Sequence, residues 1–367
     1  MKPPFRADQV GSLLRPASLV EARAGHRAGA LDAAGLRAVE DAAIRDAVAR
    51  QETIGLAGIT DGEFRRDWWH LDFLSRLDGV TLRENPGPKF NVDGASEQPP
   101  IATVTGRIGC SAPIMVDDFA FLKSVTSRTA KMTIPSPSML HLRGGRRAIS
   151  REIYPDLDRF WSDVADAYRA AIGHLAEAGC TYLQLDDVAF AYLCDPKVRQ
   201  NCRDNGDDPD ALPATYAAAI NAALADRPAH MTVTIHTCRG NFRSAWVAEG
   251  GYDPVVQAMF STDVDGYFME FDSERAGGFE PLRILPPDRK VVLGLVTTKV
   301  GELEPAGSLK RRIEEASRYV PLERLCLSPQ CGFSSTHHGN LLSHDDQWRK
   351  LARVVEVARE IWPQDAP

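Results

Sequence analysis

The sequence predicts a (β/α)8 TIM barrel, formed by a single domain over residues 1–367. Eight short apolar runs alternate with amphipathic helical windows, and polar residues crowd at the carboxyl ends of the runs. Strand–helix units of this kind build a parallel sheet, and eight of them in one domain close into a barrel with its active site at the strand carboxyl ends. An open doubly wound sheet is the alternative, but it would concentrate the polar residues at one switch point.

The predicted strands are apolar, β-branched runs that end at polar or turn-forming residues. In chain order they cover residues 8–13, 56–60, 131–135, 182–187, 231–238, 266–271, 290–296 and 324–328. Helical windows, with apolar residues three and four positions apart, lie between them at 34–54, 157–178, 210–225, 308–319 and 346–362. Residues 78–110 are predicted to form a hairpin insertion that covers one mouth of the barrel. Residues 194–213 are predicted to form a long surface loop or lid.

Composition limits the classes of partner. The formal net charge is -7, and the longest basic cluster is the triplet Lys310-Arg311-Arg312, which argues against nucleic acids and anionic membranes. No apolar stretch is long enough to span a bilayer and the N-terminus lacks a signal-peptide pattern, so a cytoplasmic location is expected. Seven cysteines over a long chain fit reduced thiols or a metal better than a disulfide framework. A small-molecule substrate is therefore expected.

Four residues at or just beyond strand carboxyl ends form a metal-ligand set, namely His236, Cys238, Glu270 and Cys331. His236 and Cys238 point to the same face of their strand, because strand side chains alternate. One imidazole, two thiolates and a carboxylate suit Zn²⁺. The alternative is a buried histidine packed among buried thiols. A structural zinc site would more often show short Cys-x-x-Cys hairpins, so a catalytic zinc that captures a thiolate substrate is the better interpretation.

Carboxylates and a serine at other strand ends are the candidate substrate ligands. Asp186 follows an apolar strand and can bind the ammonium of an amino acid or orient a zinc ligand, although capping of the next helix is the alternative. Glu63 can receive an ammonium or another cation, with Arg66 organising nearby carboxylates. Ser12 follows Gly11, whose small size permits close approach of a substrate carboxylate, and an ordinary turn is equally expected there. Asp187 is left without a role.

These residues occur in an ordered set of motifs that resembles the C-terminal catalytic barrel of the cobalamin-independent methionine synthases. The motifs are Val10-Gly11-Ser12, Asp61-Gly62-Glu63, Leu185-Asp186, His236-x-Cys238, Glu270 and Cys331-Gly332. The resemblance runs from about residue 6 to 360. It implies that His236, Cys238, Glu270 and Cys331 bind zinc, which takes up the thiolate of homocysteine as the nucleophile for the methyl group of a methyltetrahydrofolate. It also implies that Ser12, Glu63 and Asp186 hold the amino and carboxylate groups of homocysteine.

Two departures from the family pattern affect these expectations. The chain lacks the N-terminal half of the long family members and is similar to the short, single-barrel branch of bacteria and archaea. After the seventh strand, Lys299 stands where the family has a histidine proposed as the proton donor. A lysine with its ordinary pKa is a poor acid at neutral pH unless burial lowers that pKa. Folate is the first choice of methyl donor, with a methylated corrinoid protein or another alkyl donor as alternatives.

Two other functions fit the same ligand set. One is a zinc-dependent thiol alkyltransferase or lyase, for example one that joins coenzyme M to an epoxide. Such a thiol carries a sulfonate and needs no ammonium partner at Asp186 and Glu63. The other is a zinc-binding barrel without catalytic turnover, which the missing proton-donor histidine suggests. A homodimer is compatible with the sequence, which does not determine the oligomeric state.

Overall fold

A curled, parallel, seven-stranded sheet forms the centre of the molecule. The computed structural model describes residues 2–85, 90–92, 95–97 and 99–365. The strands in chain order are Gly58–Ile59 (β1), Asp78–Arg83 (β2), Phe90–Val92 (β3), Ala95–Glu97 (β4), Ile101–Gly109 (β5), Thr129–Pro135 (β6), Tyr182–Asp187 (β7), Thr232–Thr237 (β8), Gly266–Glu270 (β9), Lys290–Val296 (β10) and Leu325–Pro329 (β11). The central sheet has the order β1-β6-β7-β8-β9-β10-β11 with parallel neighbours, which is the TIM-barrel-like arrangement that the sequence predicts.

Two helices precede the first strand of the central sheet, and the others lie between or after the strands along the chain. They are Ala17–Arg27 (α1), Ala33–Ile54 (α2), Leu71–Leu74 (α3), Val116–Val125 (α4), Leu157–Glu177 (α5), Ala189–Tyr192 (α6), Pro196–Asp204 (α7), Leu212–Leu224 (α8), Val256–Phe260 (α9), Ala306–Ala316 (α10) and His344–Ile361 (α11). Side-chain caps fix several starts: Asp32 begins α2, Asp156 begins α5, and a capping box between Ser343 and Asp346 begins α11. No helix within the described ranges is long and apolar enough to cross a membrane.

The predicted first strand, residues 8–13, is wrong as a strand, although its position is right. The segment makes one parallel bridge, between Ala7 and Leu327 of β11. The N–H of Asp8 donates to the carbonyl of Leu327 at 3.0 Å, and the N–H of Leu13 donates to the carbonyl of Gly62 at 3.0 Å. The segment therefore lies between β11 and β1 and connects the two edges of the sheet without forming a continuous ladder.

Side chains replace the missing ladder. Lys131 on β6 is fully buried, and its Nζ lies 3.2 Å from a carboxylate oxygen of Asp8. The hydroxyl of Tyr182 donates to the other carboxylate oxygen at 2.8 Å, and the ammonium also lies 4.1 Å from the ring centroid of Phe268. Burial lowers the pKa of Lys131, and Asp8 opposes this effect. Paired buried charges thus hold the N-terminal segment against the sheet.

Two segments interrupt the barrel pattern. In the predicted hairpin insertion, β2 pairs with β5 and β3 pairs with β4, both antiparallel, which confirms the hairpin over the described part of residues 78–110. The predicted loop over residues 194–213 is wrong, because α7 begins at Pro196 and α8 at Leu212. The carboxylate of Asp195 accepts the N–H of Lys197 at 2.8 Å, so an N-cap and a first-turn proline start a helix despite the polar composition.

Candidate metal centre and substrate pocket

The predicted site residues gather at the carboxyl ends of the strands. Asp186 on β7 and His236 on β8 are paired in register, and Glu270 is the last residue of β9. One pocket opens at this end of the sheet, and the predicted site residues that line it are Ser12, Glu63, Asp186, His236, Cys238 and Cys331. Aromatic side chains line the same pocket, contributed by Trp68, Trp69, Tyr192 and Phe242. Sequence positions from 10 to 336 therefore converge on one cavity.

Three side chains bring metal-ligand atoms together. The ligand atoms of His236, Cys238 and Cys331 all lie within 4.8 Å of one another, and all three residues are buried. The two Sγ atoms are 3.4 Å apart, and the N–H of Gly240 donates to Sγ of Cys238 at 3.1 Å. Neither ring nitrogen of His236 has a hydrogen-bond partner with satisfactory geometry, although the ring is buried. Because buried polar atoms are normally paired, this unpaired imidazole beside two thiols fits a metal such as zinc.

The two thiols differ in their affinity for a proton. The hydrogen bond with Cys238 lowers the pKa of Cys331 well below its usual value in spite of burial, and the adjacent His236 acts in the same direction. The same hydrogen bond, together with burial, raises the pKa of Cys238. Burial disfavours the protonated His236, but Cys331, Asp186 and Glu270 together outweigh burial and raise the pKa of the imidazole. The ionised form is therefore more favoured at Cys331 than at Cys238.

Glu270, the fourth predicted ligand, is not one of the three residues whose ligand atoms converge. Its fully buried carboxylate accepts two hydrogen bonds from the guanidinium of Arg275, one of them from Nε at 2.9 Å. The other carboxylate oxygen accepts the N–H of Arg239 at 2.9 Å. Lys299 is also buried, and its ammonium donates to the carbonyl of Gly240 at 2.9 Å. Lys299 lies near enough to both thiols to favour their ionised forms.

Glu63 and Asp186 form a pair of buried carboxyl groups at the pocket wall. Burial, reinforced by the charge of Glu63, raises the pKa of Asp186 to about 7. Burial also raises the pKa of Glu63, against the opposing charge of Arg66, whose Nη1 lies 3.8 Å from the carboxylate. Thr133 donates to Glu63 at 2.9 Å, and Gln184 donates to Asp186 at 2.7 Å. Two buried carboxyl groups with one nearby guanidinium are suited to bind a second cation.

Ser12 belongs to the N-terminal segment and contacts the loop after β11. Its Oγ accepts the N–H of Ser334 at 3.3 Å, and its carbonyl accepts the N–H of Phe333 at 2.8 Å. A side chain at Gly332 would place its Cβ 2.0 Å from Oγ of Ser12, so a glycine is required for this close approach. Asp187 accepts hydrogen bonds from two serine hydroxyls and from the N–H of Phe190, which is the local capping role.

Arg15 organises the pocket although the sequence gives no sign of this role. The buried guanidinium of Arg15 donates to the carbonyls of Glu63, Arg66 and Thr336, at 3.1, 2.7 and 2.9 Å. It also donates to the Oγ of Ser334 at 2.7 Å. Arg15 therefore ties the loop after β1 to the loop after β11. Arg15 lies just before Pro16 and α1, and from the sequence alone it would be predicted to be an exposed residue that flanks a helix.

Two histidines of the loop after β11, His337 and His338, lie beside Trp68, which lines the pocket. The ring centroid of Trp68 is 5.4 Å from that of His337 and 5.5 Å from that of His338. Trp68 also forms an antiparallel bridge with Thr336. The bridge connects the loop after β1 with the loop that carries Cys331, so the two walls of the pocket support each other.

The TIM-barrel-like sheet carries a thiol–imidazole cluster that could hold a metal ion, and it places paired carboxyl groups in the same pocket at its strand carboxyl ends. Comparison with known proteins identifies the family. A sequence model described as "Cobalamin-independent synthase, Catalytic domain" matches residues 5–360, and the chain belongs to this family.

Individual relatives agree with this membership. The chain is 49% identical over 366 residues to the uncharacterized protein YxjG of Bacillus subtilis, covering 98% of this chain and 96% of YxjG. It is 25% identical over 357 residues to a methionine synthase of Saccharolobus solfataricus, covering 96% and 93% of the two chains. A crystal structure from Listeria monocytogenes, described as a "Putative Vitamin-B12 Independent Methionine Synthase", has a TM-score of 0.79 at 39% identity, and the match covers 99% of both chains.

Proposed function

We propose that this protein is a zinc-dependent methyltransferase that moves a methyl group from a methyltetrahydrofolate-type donor to the thiol of homocysteine, forming methionine. The observation that carries the proposal is the convergence of His236, Cys238 and Cys331 on one pocket with the buried carboxyl groups of Glu63 and Asp186. The first group is suited to hold a thiol-activating metal. The second is suited to hold the amino group of an amino acid.

His236, Cys238 and Cys331 would hold the zinc ion, with Glu270 as the proposed fourth ligand. When bound, zinc supplies a Lewis acid that lowers the pKa of a thiol, so that the thiolate is available at neutral pH. The protein prepares the ligands: the hydrogen bond with Cys238 already favours the ionised form of Cys331. Arg275 and the N–H of Arg239 hold Glu270, whose buried negative charge would otherwise be uncompensated.

Asp186 and Glu63 would bind the ammonium of homocysteine. An ammonium between two buried carboxylates forms charge-assisted hydrogen bonds and lowers the cost of ionising both groups. Ser12 lines the pocket and would bind the substrate carboxylate through its hydroxyl. The pair also discriminates between thiols, because a sulfonate-bearing thiol offers no cation for Asp186 and Glu63. This observation favours the amino-acid acceptor over the coenzyme M alternative.

The aromatic side chains of Trp68, Trp69 and Phe242 would bind the planar part of the donor, since stacked rings hold flat ligands with little loss of conformational entropy. Methyl transfer from a tertiary amine requires proton donation to the leaving nitrogen and alignment of the methyl group with sulfur. Asp186 would be ionised while it binds the ammonium, so it would orient homocysteine during the transfer. The proposed proton donor is Lys299, whose ammonium donates to the carbonyl of Gly240 and lies near enough to both thiols to favour their ionised forms.

Methionine formation from L-homocysteine tests the proposal. The zinc-loaded protein is incubated with homocysteine and a methyl-labelled donor, and labelled methionine is measured by mass spectrometry. Methyltetrahydrofolate and methylcobalamin are supplied separately, because the first would support the folate assignment and the second a corrinoid donor. Absence of labelled methionine with both donors would contradict the proposed acceptor or exclude both donors. A coenzyme M assay with an epoxide is the control for the alternative alkyltransferase.

A further inference from the structure

The guanidinium of Arg275 serves two buried carboxylates beside the candidate metal centre. Its Nε donates to a carboxylate oxygen of Glu270 at 2.9 Å, and one of its Nη atoms donates to Asp272 at 2.7 Å. The side chain of Glu270 is fully buried, and that of Asp272 is 1% exposed. One positive charge is thus shared between two acidic groups in a region with little water, where ionic hydrogen bonds are strong.

Glu270 lies next to the three residues whose ligand atoms converge. It ends β9, and its second carboxylate oxygen accepts the N–H of Arg239, the residue that follows Cys238. Both oxygens are therefore already engaged, one by the guanidinium of Arg275 and the other by the main chain. A metal ion that bound Glu270 would draw on the same negative charge as the guanidinium. The metal ion and Arg275 are thus competitors for one carboxylate.

Arg275 also contacts the loop after β8, which forms one wall of the catalytic pocket. Its guanidinium carbon lies 5.2 Å from the ring centroid of Trp246, and its carbonyl accepts the N–H of Gly250 at 2.9 Å. Val247, next to Trp246, lines the pocket, and its N–H donates to the carbonyl of Arg239 at 2.8 Å. The ring of Trp246 is half exposed, so an aromatic side chain at the surface holds the guanidinium from the side opposite the buried acids.

We propose that Arg275 is a positioning residue of the metal centre, which competes with the metal ion for the Glu270 carboxylate and so sets how firmly this fourth ligand is held. This role rests on the zinc centre of the proposed function. A guanidinium forms strong, forked hydrogen bonds with carboxylates, so the Glu270 oxygen that binds Arg275 is a weaker metal ligand than a free carboxylate. A weakly held ligand leaves the metal ion more accessible to an incoming thiol.

The zinc affinity of the full chain, measured by competition with a chromogenic chelator, tests this role. The test variant is Arg275→Lys, because lysine keeps the positive charge between the buried acids but cannot form the forked hydrogen bonds. We expect its zinc dissociation constant to fall about fivefold, since Glu270 becomes freer to bind the metal ion. The same substitution in an E270Q background should have no effect, which separates this role from a general change in the fold. The control is Arg289→Lys, because Arg289 contacts Asp263 at 2.9 Å and Asp288 at 3.2 Å and does not line the pocket.

Trp246→Leu loosens Arg275 without disturbing a buried charge, and it takes the place of Arg275→Lys if that variant does not fold. We expect a change of about twofold in the same direction, and none in Trp348→Leu, which removes a ring 5.7 Å from the guanidinium carbon of Arg50 and outside the pocket lining. An unchanged or raised dissociation constant in the test variant, or an equal fall in the E270Q background, would overturn the role of Arg275 and leave the metal centre standing. A wild type that binds no zinc would instead overturn the metal centre, and the role of Arg275 with it.

Discussion

At the scale of single residues, the site combines a thiol of lowered pKa with buried carboxyl groups of raised pKa. The hydrogen bond with Cys238 and the adjacent His236 lower the pKa of Cys331 well below its usual value. Asp186 has its pKa raised to about 7 because burial and Glu63 both disfavour its charge. The two effects are complementary. The lowered pKa of Cys331 prepares a ligand for a metal ion, and the raised pKa of Asp186 provides a carboxyl group that ionises fully when an ammonium binds between Asp186 and Glu63.

Replacement of Cys331 by serine should remove the metal without unfolding the barrel. The variant loses the ionised sulfur ligand, and we expect zinc affinity to fall by at least about 100-fold, measured by competition with a chromogenic chelator. The control is Cys326→Ser, because Cys326 is also buried, on β11, but is not a member of the ligand group. Retention of full zinc affinity in Cys331→Ser would exclude Cys331 as a ligand.

Replacement of Asp186 by asparagine should weaken homocysteine binding about tenfold or more and leave zinc content unchanged, since the amide keeps the shape but loses the charge that pairs with ammonium. The pKa of Asp186, about 7, adds a pH dependence in the wild type. Ammonium binds the ionised carboxylate, so affinity should rise as pH increases through about 7, and the variant should lose this rise. Calorimetric titrations from about pH 6 to 8 measure both effects; simultaneous loss of zinc would instead make Asp186 a support for the metal ligands.

At the scale of elements, residues with little local signal close the barrel. Regular strands were predictable because continuous apolar runs bounded by polar residues have few other conformations: β7 and β10 match their predicted limits, 182–187 and 290–296. The N-terminal segment satisfies its polar groups with Lys131 and Tyr182 instead of a ladder, and α7 depends on a cap in a polar sequence. The first kind of interaction joins residues that are distant in the sequence, and the second starts a helix in a segment whose polar composition predicts a loop. The spacing of apolar residues along the sequence therefore does not reveal either of them.

The buried pair of Lys131 and Asp8 provides a stability test for this closure. Lys131→Met leaves the Asp8 carboxylate buried without its counter-charge, and we expect the free energy of unfolding to fall by about 3–5 kcal/mol. The double variant Asp8→Asn/Lys131→Met removes both charges and should recover part of the loss. Urea unfolding of the three proteins measures both values. A loss below about 1 kcal/mol in Lys131→Met would show that the pair does not hold the segment.

At the scale of the whole molecule, the site exists only when the sheet is curled and closed. Ser12 comes from the N-terminal segment, His236 and Cys238 from the end of β8, and Cys331 from the loop after β11. Strand order and strand ends were sufficient to predict that these residues meet. The positions of Arg15 and Arg275 were not predictable, because both side chains are fixed by carbonyls or carboxylates that reach them only in the folded chain.

Metal removal should therefore change the site more than the fold. The core of the sheet and its helices is formed by apolar side chains that do not depend on the ligands, so a catalytic metal adds less to stability than a structural one. We expect treatment with a chelator to leave the far-ultraviolet circular dichroism unchanged and to lower the melting temperature by a few degrees. Loss of the helical signal at room temperature after chelation would show that the metal is structural.

The central claim is that His236, Cys238 and Cys331 hold a zinc ion that receives the thiol of homocysteine. Zinc X-ray absorption of the purified protein, recorded with and without L-homocysteine, tests it most directly. We predict two sulfur neighbours from the protein and one additional sulfur neighbour after homocysteine is added, at the expense of an oxygen or nitrogen neighbour. A zinc environment that does not change with homocysteine would contradict the proposed acceptor, and a protein that retains no zinc would contradict the metal centre itself.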